Sequence, residues 1–266
     1  MKVQVLIAAM DLIPGTKLPL GLKDLIQNEI RFSVINQSIA SDKNPFPNHS
    51  DLQIHTFAET GLSRSRNRNL NLLTESIGLI SDQDVRFKPG FQDTIIAAFK
   101  KYPEADIITF QIEDEQAMPF KNYKNQPFWM NLRDIMKVSS VEIAFRAASI
   151  IEKNLIFDEN FGLGSTCETG EEAIFLSDAL KKGLKIKYVP IPIVIHPRES
   201  SGYQFINNKS LIRAKGAMFY RIFKQKAYLV SIIFAVKKYK LSSEGLINFV
   251  KLMFEGISSY KRKRYE

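Results

Sequence analysis

Two aspartates separated by one residue, Asp82 and Asp84, close the apolar run Ile77-Gly78-Leu79-Ile80-Ser81. In a strand alternate side chains share a face, so carboxylates two residues apart converge. Converging oxygen ligands suit a hard divalent cation such as magnesium, manganese or calcium, and two carboxylates leave coordination positions open for substrate phosphates. Acids also solvate the turn that follows a strand, and taken alone the spacing favours that plainer reading.

Other chemistry-bearing residues have local explanations of the same kind. Glu171-Glu172 follows Thr169-Gly170, which fits a capping box with Thr169 as N-cap and Glu172 reaching back, ahead of the apolar face Ile174, Phe175, Ala179 and Leu180. Arg64, Arg66 and Arg68 alternate at a predicted helix start, where like charges are mildly unfavourable unless an anion is near. His196 ends the apolar run from Val189, and a lone histidine at a strand end is more often structural than a ligand. Cys167 has no neighbouring histidine in sequence to activate it.

The elements that must position these groups alternate strand and helix. Val3–Ala9, Phe32–Gln37, Leu52–Phe57, Ile77–Ser81 and Asp106–Ile112 read as strands. Between them, helical spacing covers Asp24–Ile30, the stretch after Gly61 with Ser63 as N-cap, and Phe91–Lys101. Ser41–Ser50 is a proline-rich loop. This order predicts an α/β fold with a mostly parallel sheet flanked by helices. In such sheets ligands sit beyond the carboxyl ends of the strands, where Asn36, Gln37, the Gly61–Asn69 stretch, Asp82 and Asp84 would face one crevice.

Composition narrows the class. A single cysteine excludes an internal disulfide framework and a four-cysteine zinc site. The apolar N-terminus reads as a first strand, not a signal peptide. Net charge is +9, but residues 203–266 hold 14 Lys+Arg against 3 Asp+Glu, which leaves 23 against 25 for residues 1–202. The body offers no general positive field to a polyanion, so nucleic acid is not expected as a partner. The tail mixes lysines with Leu211, Ile212, Met218, Phe219, Ile222 and Phe223, and its longest apolar stretch, Ala227–Val236, is too short to span a bilayer. We expect residues 1–202 to form one α/β domain that holds the candidate site residues. Residues 203–266 would be a basic amphipathic helical extension that either packs on the domain or, the reading favoured here, touches a membrane surface through Lys237, Lys238, Lys240 and Lys261-Arg262-Lys263-Arg264.

Three segments in order, Gly61-Leu62-Ser63-Arg64-Ser65-Arg66-Asn67, Ile80-Ser81-Asp82-Gln83-Asp84-Val85 and Gly170-Glu171-Glu172-Ala173-Ile174-Phe175-Leu176, resemble family 2 of the glycosyltransferases, with the Rossmann-like GT-A fold. The resemblance covers about the first three quarters of the chain. It implies an inverting transferase that moves a sugar from a nucleotide-diphosphate donor, expected to be a UDP-sugar, with Mn2+ or Mg2+ on the diphosphate. Carried over, Asp82 lies near the ribose and the metal, Asp84 is the principal metal ligand, and Arg66 and Asn67 lie near the donor. The Glu171-Glu172 pair matches the family's acidic motif, with Glu172 in the place of the general base, although the family has aspartate there. Asn36 and Gln37 stand near the position of the family's uridine-binding acid. His196 is the candidate third metal ligand, and Arg198, Ser200 and Ser201 belong to a loop over the diphosphate. Trp129 is either core or a stacking platform for an acceptor sugar. The implied partner is a glycan or lipid-linked acceptor in cell-surface polysaccharide synthesis, at the cytoplasmic face of the cell membrane. Two alternatives are a metal-dependent nucleotidyltransferase, for which Asp11–Lys17 is a poor phosphate loop, and a catalytically silent binding protein with a transferase fold.

Overall fold

The computed structural model describes residues 1–12, 30–39, 50–197 and 207–262. The expected helix at Asp24–Ile30 (all but Ile30), most of the loop Ser41–Ser50, Ile13–Lys17, Arg198, Ser200, Ser201, Lys263 and Arg264 lie outside the described residues. Along the chain two compact units alternate. One takes Met1–Thr60, Arg64–Phe157 and Phe175–Arg198, and the other Gly61–Ser63, Asp158–Ile174 and Glu199–Glu266.

The first unit is built on a nine-stranded sheet. Its strands are β1 (Val3–Met10), β2 (Arg31–Gln37), β3 (Leu52–Phe57), β4 (Ile77–Asp82), β5 (Arg86–Phe87), β6 (Ile107–Glu113), β7 (Phe128–Trp129), β8 (Ile143–Arg146) and β9 (Ile186–Ile195). They are ordered β3-β2-β1-β4-β8-β6-β9-β5, with β7 also on β9. The pairs among β1 to β4 and the β6–β9 pair are parallel, as the strand–helix alternation predicts. The sheet is more mixed than the sequence suggests, because β8 runs antiparallel between β4 and β6. The short β5 and β7 run antiparallel to β9.

Two apolar clusters cover the two faces of this sheet, which is why the central strands read as near-continuous apolar runs. Val3, Val5 and Ile7 of β1 join one cluster, and Leu6 points into the other. The helix α1 (Leu62–Asn71) follows β3, and α2 (Phe91–Lys101) gives Ile95 and Phe99 to the first cluster. The short α3 (Ala147–Glu152) follows β8, and α4 (Glu171–Lys181) gives Phe175, Leu176 and Ala179 to the second cluster.

The second unit is helical at its carboxyl end, with α5 (Lys209–Phe223), α6 (Ala227–Lys238) and α7 (Leu246–Arg262). Helices α5 and α7 touch backbone to backbone: a Cβ at Gly216 would lie 2.1 Å from the Met253 carbonyl oxygen, and one at Gly256 would lie 1.9 Å from that of Arg213. Only glycine permits this approach. Phe234 of α6 packs on Phe219 and Phe249, with ring centroids 5.4 and 6.3 Å away. No helix among the described residues is long and apolar enough to cross a membrane.

Candidate functional site

Strands β1, β2, β3, β4, β6 and β9 all point their carboxyl ends the same way, and the strand order reverses between β1 and β4. A crevice beyond that edge is where an open α/β sheet holds its ligand. Asp82 is the last residue of β4, level with Ala8 of β1. Its Oδ1 accepts a hydrogen bond from Arg66 at 3.1 Å and its Oδ2 one from Ser140 at 3.3 Å. Arg66 is 3% exposed and lies over the Phe157 ring, so the guanidinium is held rigidly behind the carboxylate. The ion pair is better ordered than an exposed one, because the arginine has little freedom left to lose.

Asp84 is not on the strand. Gln83 and Asp84 form a turn, with Val85 N–H donating to the Asp82 carbonyl at 3.4 Å, so the two acids do not converge through strand pleating as their spacing suggested. Instead β5 turns back and pairs with the end of β9, Arg86 opposite Ile195, and this delivers Asp84 to His196. The Asp84 carboxylate, 58% exposed, stands 3.5 Å from His196 Nε2, and the histidine is 13% exposed. His196 Nδ1 is 2.7 Å from the Pro197 carbonyl oxygen, which can only accept, so Nδ1 carries the proton. In the neutral ring the Nε2 lone pair then faces a carboxylate oxygen. Two acceptors facing each other call for a proton or a cation between them, and one nitrogen with one oxygen ligand is chemistry suited to manganese and other divalent ions. Among the described residues no group of three or more His, Cys, Asp and Glu side chains gathers as a metal site. Asp84 and His196 are the candidate cation ligands, and Asp82 is bonded to Arg66 and Ser140.

The other expected donor residues have structural duties. Asn36 is buried and clamps the chain leaving β1: its Oδ1 accepts from Leu12 N–H at 3.0 Å and its Nδ2 donates to the Leu12 carbonyl at 3.3 Å. Gln37 donates to Glu59 at 3.4 Å, and Glu59 receives both the Nε and a terminal nitrogen of Arg68, at 2.7 and 2.8 Å. That arginine bond holds the Glu59 carboxyl below its ordinary value against the opposing effect of burial. Arg68 also lies 3.8 Å above the Phe57 ring, so it is no free solvated cation. Asn67 makes two bonds to the backbone of Phe157, at 3.0 and 2.8 Å, and positions the aromatic floor beneath Arg66. Trp129 stands opposite Lys187 at the start of β9, roughly 25–30 Å along the strand from His196 by rise per residue. It belongs to the far edge of the sheet, where it is 42% exposed, and is neither core nor a platform for this crevice.

The second acidic pair lies in the other unit. Helix α4 begins at Glu171, with Ile174 N–H donating to the Gly170 carbonyl, so Gly170 (φ 93°) holds the cap position. Glu172 is then the second helical residue, not the third that a capping box uses. Ser63, expected as an N-cap, is instead inside α1 and donates to the Phe161 carbonyl at 2.6 Å. No motif or spacing singles out Lys215 on α5. Desolvation pulls its amine down, while the carboxylates of Glu172 and Glu171 pull it up. Helix α5 comes close here, since a Cβ on Gly170 would strike Met218. Cys167 is buried, and its backbone bridges to Phe161.

No protein-family model matches the sequence, and no curated protein matches it. Solved structures do match. The structure of S. aureus TarS residues 1–349 aligns with a TM-score of 0.60 at 12% identity, covering 99% of this chain and 92% of that one. The fold is that of TarS. The structure of TarS 1–349 with UDP-GlcNAc aligns at TM-score 0.58, with 12% identity and coverage of 99% and 92%. The one with UDP aligns at 0.53, with 14% identity and coverage of 89% and 70%. At these identities the likeness to TarS is one of fold, and it agrees with the GT-A architecture expected from the sequence.

Proposed function

We propose that this chain is a glycosyltransferase that moves a sugar from a nucleotide-diphosphate donor, UDP-linked, to a glycan or lipid-linked acceptor in cell-surface polysaccharide synthesis, at the cytoplasmic face of the membrane. The observation that carries the reading is a coincidence of two facts. The chain has the fold of TarS, whose structures hold UDP and UDP-GlcNAc. Asp82, Arg66, Asp84 and His196 stand together at the ligand-binding edge of that fold.

In this reading Asp84 and His196 hold Mn2+ or Mg2+, with Asp82 beside them. A bound cation would offset the charge of the leaving diphosphate. The protein's own contribution is fixed charge and position. Arg66, buried against Phe157, keeps the Asp82 carboxylate oriented toward the crevice without further reorganisation. The Asn36 clamp fixes the chain leaving β1, next to where the base would lie. The family resemblance assigns Arg198, Ser200 and Ser201, which lie outside the described residues, to the diphosphate. Glu172, with Glu171 before it, is the proposed general base for the acceptor hydroxyl, in the place the family resemblance gives it. A single displacement assisted by one base inverts the anomeric centre.

Calorimetric titration of UDP with and without manganese tests the proposal. We expect UDP to bind the wild type about tenfold more tightly with manganese, and Asp84→Asn and His196→Ala each to remove that gain. Nucleoside diphosphate binding that manganese does not tighten would overturn the reading.

A further inference from the structure

Helix α6 is amphipathic with its faces exchanged. Ala227, Ser231 and Ala235 are buried. Leu229, Ile232, Ile233 and Val236 are 62%, 42%, 47% and 53% exposed. Their spacing of three, four and seven residues puts these four side chains on one stripe, opposite the buried small residues. A helix that only needed to pack on α5 and α7 would turn its large aliphatic residues inward. Here Phe234 and Tyr228, against Phe219, Phe249 and Phe254, do the packing from the flanks of the buried face. A continuous apolar stripe in solvent marks an interaction surface.

The surrounding charge specifies what covers it. Lys224 and Lys226 precede the stripe and Lys237, Lys238 and Lys240 follow it, and the sequence from Asn207 to Ser243 contains no acid. A symmetric contact between two copies through this stripe would bring lysines against lysines with no carboxylate between them. A surface that is apolar beneath and anionic at its rim suits both features at once. With 12 residues α6 is about 18 Å long, too short to span a bilayer and long enough to lie in its interface.

We infer that α6 is the element by which this protein docks on a bilayer surface containing anionic lipid, with Leu229, Ile232, Ile233 and Val236 in the acyl boundary and the lysines at the head groups. This gives the membrane location proposed above a defined surface, and it does not depend on the proposed chemistry. Vesicle binding and UDP binding are separate measurements on the same protein, so either can fail alone.

The test is co-sedimentation of the full chain with phosphatidylcholine vesicles and with vesicles containing about 30 mol % phosphatidylglycerol. We expect binding to the anionic vesicles only. Leu229→Ser with Ile233→Ser should weaken it about tenfold, while UDP affinity and the far-UV circular dichroism spectrum stay unchanged, since both positions are exposed. A second variant, Lys226→Gln with Lys237→Gln and Lys240→Gln, touches no packed atom and should remove the preference for phosphatidylglycerol. Absence of binding to anionic vesicles, or binding that the serine variant leaves intact, overturns the inference. So does a concentration-dependent dimer in sedimentation velocity that the serine variant abolishes, because the stripe then belongs to a second copy.

Discussion

Replacing Gly216 by alanine sets a local preference against a tertiary contact. Alanine is the better helix former by about 1 kcal/mol, so propensity alone predicts a stabilised α5. The new Cβ would stand 2.1 Å from the Met253 carbonyl oxygen, about 1 Å closer than any ordinary contact, and backbone atoms cannot rotate aside as a side chain does. Helices α5 and α7 must therefore separate by about 1 Å at the crossing. A gap of that size forfeits up to half of each dispersion contact made there, by residues that include Met253, Leu252 and Phe249, all nearly inaccessible to solvent. Overpacking of this kind costs about 3 kcal/mol, which leaves a net loss of about 2 kcal/mol after the propensity gain. Gly256→Ala meets the Arg213 carbonyl in the same way and should cost a similar amount. One separation relieves both clashes, so the double variant should lose clearly less than the sum of the singles. Urea unfolding followed by far-UV circular dichroism reads this as a midpoint lowered by about 1 M in each single variant. A raised midpoint for Gly216→Ala, or strict additivity in the double variant, would show that the crossing is not set by these two glycines.

Two further outcomes follow from the site. Glu172→Gln keeps the size and helix preference of the side chain but not the base, so turnover should fall by about two to four powers of ten; retained turnover in a sugar-transfer assay would remove Glu172 from the mechanism. Glu59→Gln should cost stability in a pH-dependent way. The Arg68 bond depresses the folded-state pKa of Glu59, so its contribution is fully present above the unfolded value of about 4.3 and is lost as pH falls through the lower folded value. The gap between wild-type and variant midpoints should hold from neutral pH to about pH 5 and close in more acid solution. A gap that widens on acidification would contradict the assignment.

The sheet was readable because burial on both faces leaves a simple signature. β1 to β4 appear as apolar runs with breaks at turn formers, and α2 was placed residue for residue. The antiparallel β8 was not readable, since Ile143–Arg146 is short and its neighbours are set by long-range pairing. The candidate site divides in the same way. Asp82, Asp84 and Arg66 are candidates by spacing and motif order. Their arrangement is not legible there, because β4 ends at Asp82, two residues short of where a same-face argument needs it.

His196 shows why. Nothing near it in sequence pairs it with Asp84, which is more than a hundred residues earlier; the link is the two-residue strand β5 folding back onto the end of β9. Two-residue strands carry no periodicity, and short pairings are decided by what the flanking turn can reach. Val85, 1% exposed, anchors that turn in the apolar cluster, and Gln83 accepts the Met10 N–H at 2.9 Å, which ties the same turn to the end of β1. A single buried valine and one glutamine thus fix the position of an exposed carboxylate between them. Asn36 and Asn67 carry the converse lesson. Their types suggested ligand contact, yet a side-chain amide that can donate and accept at once is equally suited to bridging two backbone groups, and both residues do so here. Polar type alone therefore does not separate residues that would touch a ligand from those that hold the surrounding backbone.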